Sequence, residues 1–237
     1  MPVISIKPET VLRVFGFSLN NTLLLSIIVL IFFTVIAIMY NRAAGAPKKS
    51  VFFYFINFLL KGIYQLFESV LKEKTDYFFP IMASFFLFII LQNWFELIPG
   101  VGSILYHGIP LLRGNEADLN STISLALISV VLIQVFGIKF LGFRGYISKF
   151  INFRDPISFF TGILEIISEF SKIISFAFRL FGNIFAGEVL LTIMAFLVPV
   201  LASFPFLLLE VFVGFIQALV FAMLTAVFVN MAITKHN

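Results

Sequence analysis

Residues 176–188 read Phe-Ala-Phe-Arg-Leu-Phe-Gly-Asn-Ile-Phe-Ala-Gly-Glu. Between Lys172 and Glu188 the one charged residue is Arg179. An arginine stays protonated at any physiological pH. At the centre of a hydrocarbon layer it costs about 2.5–3.5 kcal/mol by insertion scales. The apolar run around it extends from about 157 to 197, which is ample to cross a bilayer. A cation kept at the middle of such a run points to a partner or an ion path.

The remaining composition agrees with a lipid environment. Of 237 residues, 61% are apolar and 12% charged, about half the charged share of an ordinary soluble domain. Mean hydropathy is +1.10. Phe occurs 34 times and Trp once, which reads as lipid-facing and core mass. There is no Cys, so disulfides and thiol nucleophiles are excluded. The two His residues, His107 and His236, fall in a loop and at the C-terminal end. Neither a His-based metal site nor a Ser–His pair inside the membrane is expected, and no catalytic residue, metal or cofactor is assigned.

Hydropathy divides residues 1–237 into one integral membrane domain with five passes, at about 21–40, 79–97, 121–141, 157–197 and 204–233. Pro99–Gly100 should end the second, and Pro199 and Pro205 should bracket the turn between the last two. The first run is long enough to be a retained helix rather than a cleaved signal. Residues 51–74 differ. Asn57, Lys61, Gln65, Glu68 and Lys72 recur at helical spacing and form one polar stripe on an otherwise apolar helix. This suits an amphipathic helix at the membrane surface or beside the bundle. The stripe is either simply solvated or a contact for a peripheral partner. The expected fold is therefore an all-α polytopic bundle with one amphipathic helix.

Basic residues orient the passes. Arg42, Lys48 and Lys49 lie in 41–50, and Lys139, Arg144, Lys149 and Arg154 in 139–154. The loop 98–120 has only Arg113, beside Glu116 and Asp118. The first two segments should face the cytoplasm and the loop should face out. The N-terminus is then outside and the C-terminus, with Lys235, inside.

The fourth pass carries an unusual polar set. Ser175 and Asn183 lie one turn to either side of Arg179. Glu165 and Ser168 continue nearly the same face, while Glu188 points to roughly the opposite side. The fifth pass offers Glu210 and Gln217 on one face. In an antiparallel hairpin Glu188 and Glu210 should be neighbours sharing protons, with Gln217 deeper, near the level of Arg179. Plainer readings stand beside these. Glu165, Glu169 and Lys172 could sit among headgroups, the serines could bond back to their own helix, and Asn183 and Gln217 could be interhelical glue. Glu188 could snorkel, and Arg179 could form a structural ion pair with Glu165 or Glu169.

The string F-R-L-F-G-N-I-F-A-G-E at 178–188 closely resembles the signature of subunit a of F-type ATP synthases. E-V-F-V-G-F-I-Q-A-L-V-F-A-M-L-T from Glu210 resembles that family's second motif, and N-W-F-E-L-I-P-G at 93–100 resembles its N-L-x-G-L-I-P-G, with Glu96 in place of a small or apolar residue. The similarity runs from about residue 75 onward; earlier residues match only in layout. The resemblance implies a non-enzymatic stator whose tilted C-terminal hairpin, 157–235, faces a ring of c subunits. A b-subunit peripheral stalk and other synthase subunits are implied partners, along with lipid and protons, and no nucleic acid. It implies two offset half-channels: Asn183, Glu188 and Glu210 in the outer one, Glu165, Ser168 and Ser175 in the cytoplasmic one. Arg179 would separate them and Gln217 would stand opposite it. A cell inner membrane is implied in preference to an organelle membrane. The competing classes are a stand-alone transporter or channel, which should show two similar halves, and an intramembrane enzyme.

Overall fold

The computed structural model describes residues 8–14, 17–98, 101, 104–106, 108–150, 156–197 and 203–234. Arg154, Lys235, both histidines, Pro99, Gly100 and Pro199 lie outside these. The helices are α1 (Asn21–Gly45), α2 (Val51–Leu71), α3 (Thr75–Glu96), α4 (Leu119–Leu141), α5 (Phe143–Ile147), α6 (Pro156–Leu197) and α7 (Ser203–Ile233). Among the described residues, five stretches are long and apolar enough to cross a membrane, α2 and α3 counting as one. The chain is thus an all-α polytopic bundle, as expected. Spanning helices suit lipid because each satisfies its own backbone polar groups.

Four short strands were not foreseen. β1 (Thr10–Val14) pairs antiparallel with β2 (Phe17–Asn20), and β3 (Leu105–Tyr106) with β4 (Ile109–Pro110). Both hairpins precede helices in segments without helical periodicity. Gly108, at φ 82°, makes the tight turn of the second. The Asn21 amide donates to the Pro110 carbonyl at 3.3 Å, so both hairpins cap one end of the bundle, here the loop end. At the other, the α5 end, Gly142 takes φ 76° between α4 and α5. Lys139 there donates to the Tyr77 hydroxyl at 2.6 Å, which sets the start of α3 beside the end of α4.

Pro205 lies inside the first turn of α7, at the far edge of the connecting turn as expected. This is sterically allowed because a first-turn residue has no intrahelical N–H partner to lose. α1 also continues to Gly45, five residues past the expected boundary. The stripe on α2 is exposed as expected, while Ile63, Phe67 and Leu71 on a neighbouring face are buried. α2 therefore packs beside the bundle, and Asn230 on α7 donates to its Val70 carbonyl at 3.1 Å.

The core lies between α3, α4, α6 and α7. Phe78, Met82 and Ile89 of α3, Ala126 and Ile133 of α4, Phe176, Ala177 and Leu180 of α6 and Phe221 of α7 belong to one buried cluster. α7 contributes Ala218, Ala222 and Ala226, all fully buried at four-residue spacing. Such small residues let helix backbones approach closely, and in lipid that contact drives association. The Phe176 and Phe221 ring centroids are 4.9 Å apart. One buried polar link, Ser129 hydroxyl to Thr225 hydroxyl at 2.9 Å, joins α4 to α7.

α6 has 42 residues. At 1.5 Å per residue it is about 63 Å long, against about 40–45 Å for a bilayer with its headgroups. It must therefore incline by about 45° or more to stay within that layer.

Candidate functional site

α6 and α7 pack as a pair and carry most of the expected residues. The Arg179 Nη2 donates to the Ser175 hydroxyl one turn earlier, at 3.3 Å. Its Nη1 is buried with no hydrogen-bond partner among the described residues. No acid among them forms an ion pair with Arg179. The two acids that could have neutralised it are engaged elsewhere. Glu165 pairs with Lys149 at 2.6 Å. Glu169 pairs with Lys172 at 2.7 Å and accepts from Gln134 at 2.8 Å. The structural ion pair weighed from sequence is thus absent for both. Guanidinium groups favour bidentate carboxylate partners, and here one such group is kept without any.

One turn beyond Arg179, the Asn183 amide donates to Gln217 Oε1 at 2.7 Å. This bond sets Gln217 close to the level of Arg179, as the hairpin geometry predicts. Gln217 is 4% exposed and its Nε2 lacks a partner among the described residues, while Asn183 is exposed.

Nearer the loop end, Glu188 and Glu210 line one cleft with Asn93, Glu96, Leu97, Ile184, Leu191, Thr192 and Leu207. Its volume is about 180 Å³, room for several waters. Gly187 makes the approach possible: a Cβ there would run into the Glu210 carboxyl. Glu210 is 7% exposed, with Oε1 unpartnered among the described residues. Glu188 also has a basic partner. Arg113 donates from Nε to Oε1 at 3.1 Å and from Nη2 to Oε2 at 2.9 Å.

Sequence reasoning passed over three groups at this end. Arg113 read only as a loop charge, and Glu96 only as a departure from a motif. Glu116 is 1% exposed, with neither oxygen partnered among the described residues. Burial first, then the nearby Glu96 charge, pushes its pKa well above the ordinary carboxyl range, against a smaller lowering by Asn93. The available signal was their placement: acids flanking the end of a span inside an otherwise apolar chain. Asn93 and Trp94 tie α3 to α7, donating to the carbonyls of Gly214 at 3.0 Å and Val211 at 3.1 Å.

At the α5 end, Glu165, Ser168 and Ser175 lie along α6, the first two half-buried and Ser175 exposed. Beside them, Tyr146 donates to Gln134 at 2.5 Å. Burial, Glu169 and Glu165 raise the Tyr146 pKa to about 12, so its hydroxyl stays a donor. The polar groups on α6 therefore form two collections separated along the axis, with Arg179 between them.

The model of a family described as ATP synthase A chain matches residues 22–230. The chain is 34% identical over 235 residues to ATP synthase subunit a of Baumannia cicadellinicola, covering 93% of this chain and 84% of that one. It is 36% identical over 175 residues to the protein of that name from Syntrophobacter fumaroxidans (73% and 68% covered). With the one from Moorella thermoacetica it shares 30% over 181 residues, covering 76% of each.

Proposed function

This chain belongs to the ATP synthase A chain family, subunit a of F-type ATP synthases, and we propose that it is the stator through which protons reach and leave the carboxylates of a c-subunit ring. As a family member it is a multi-pass membrane protein of ATP synthesis and proton transport that assembles with other synthase subunits. The loop end faces outward and the α5 end faces the cytoplasm of a bacterial inner membrane. A b-subunit stalk holds the stator against the ring.

A ring carboxylate is stable in lipid only when protonated. Beside Arg179 it loses its proton, because the guanidinium stabilises the anion. The proton leaves along Ser175, Ser168 and Glu165 toward the α5 end. Past Arg179 the carboxylate is reprotonated from the side of Asn183, Glu188 and Glu210, with Gln217 lining the crossing point. The fixed cation also repels any proton moving straight between the two sides. A potential of about 100 mV supplies about 2.3 kcal/mol per charge moved. The subunit itself performs no chemistry on a nucleotide.

The observation that carries this reading is a guanidinium in a membrane-spanning helix whose buried Nη1 has no hydrogen-bond partner, and which no acid neutralises, among the described residues. The test is Arg179→Ala and Arg179→Lys in assembled complexes reconstituted in liposomes. Proton-driven ATP synthesis should stop in both. Synthesis at the parent rate in either would overturn the assignment.

A further inference from the structure

Of the carboxyls at the loop end the path above uses Glu188 and Glu210, and it gives Glu116 and Glu96 no part. Glu116 is 1% exposed and both its oxygens lack hydrogen-bond partners among the described residues. Burial disfavours the charged form of such a group, and the Asn93 side chain offsets this only in part. The charged groups around it have other engagements. Arg113, three residues earlier, grips Glu188 of α6, and Asp118 caps α4 by accepting from the Asn120 N–H at 3.0 Å.

Glu96 of α3 connects this group to the cleft. Its carboxyl rests against Gly114, where a Cβ would collide with it. It lines the same cleft as Glu188 of α6 and Glu210 of α7. A second observation is independent of the acids. Asn93 also lines the cleft, is 3% exposed, and its Oδ1 has no donor among the described residues. A buried acceptor without a partner calls for an acid O–H or a water. Among the described residues no three acids converge as metal ligands would, and a row of acids suits relay of a proton better than capture of a metal ion.

We propose that Glu116 is a further proton-carrying carboxyl, the outermost member of a row that runs through Glu96 to Glu210. It rests on reading the loop-end cleft as the entry side. In each transfer the O–H bond of Glu116 breaks as one forms on the Glu96 carboxylate, directly or through a water. The carboxylate left on Glu116 takes its next proton from the loop-side compartment by way of water entering the loop.

The test is Glu116→Gln and Glu116→Asp in the whole synthase in liposomes, with proton-driven ATP synthesis followed against the pH of the loop-side compartment. E116Q keeps the shape and removes the titrating proton. It should move the falling alkaline limb to lower pH by about one unit, and E116D should restore most of that shift. An E116Q profile that superimposes on the parent's would overturn the proposal. So would equal losses at every pH in both variants, the mark of a structural role. If E116Q does not assemble, Glu116→Ser is read in the same way. Arg179→Ala, run in parallel, separates the two readings. Synthesis lost there with an unshifted E116Q profile sinks the relay alone, whereas synthesis retained there sinks the stator assignment beneath it.

Discussion

Arg113 holds both carboxylate oxygens of Glu188, a residue 75 positions further along the chain, at 3.1 and 2.9 Å. The guanidinium side chain is 8% exposed and the carboxylate side chain 26%. One contact thereby ties the segment before α4 to α6 and engages one of the two cleft acids expected to share protons. Glu210 keeps one oxygen without a hydrogen-bond partner among the described residues.

Replacing Arg113 by Gln should destabilise the protein by about 1.5–3 kcal/mol, near the lower figure because Glu188 can still reach water. E188Q alone should cost a similar amount. A double-mutant cycle with R113Q, E188Q and the pair, read by equilibrium unfolding, should return a coupling of about 0.5–3 kcal/mol. Strict additivity would mean that the contact contributes nothing.

The Asn183–Gln217 bond predicts an asymmetry. Gln217 is buried and Asn183 is exposed. Asn183→Ala strands a buried acceptor and should cost about 1–3 kcal/mol. Gln217→Met removes the buried polar group and keeps its volume, so it should cost less than about 1.5 kcal/mol. Both variants should still lower proton-driven synthesis. Equal unfolding free energies for the two would contradict this account of the bond.

Two glycines of the same hairpin should behave differently when given a methyl. At Gly214 a Cβ would lie 2.9 Å from the Cβ of Asn93, an atom that moves only with α3. Gly214→Ala should destabilise by about 1–3 kcal/mol through overpacking. At Gly187 the obstacle is the Glu210 carboxyl, the far end of a flexible side chain. Gly187→Ala should leave unfolding nearly unchanged but displace that carboxyl and slow synthesis. A thermal shift paired with a synthesis assay distinguishes them; a stability loss at Gly187 matching that at Gly214 would be the contrary result.

How much was legible follows from the range of each interaction. Arg179 stood out because one charge in an apolar run is conspicuous without any neighbour. The hairpin fixed the depth at which Glu188, Glu210 and Gln217 meet, since helical rise converts residue count into distance. Arg113 was not placed because its partner depends on the path of a segment with no periodicity. Glu116 was hidden for the same reason: burial in a loop comes from what folds over it, here α3, and no local pattern records that. The pairing of Glu165 with Lys149 likewise needed the position of the short α5 and the turn after it. The two β-hairpins escaped notice because their strands are five residues or fewer, too short for alternation to register.

The length of α6 turns vertical separation into horizontal separation. Glu165 and Glu188 stand 23 residues apart on it, about 35 Å along the axis, and at an inclination near 45° this leaves them offset by roughly 25 Å in the plane of the sheet of lipids. On the function proposed above, a proton taken up beside one and released beside the other has to be carried sideways between them by a moving partner.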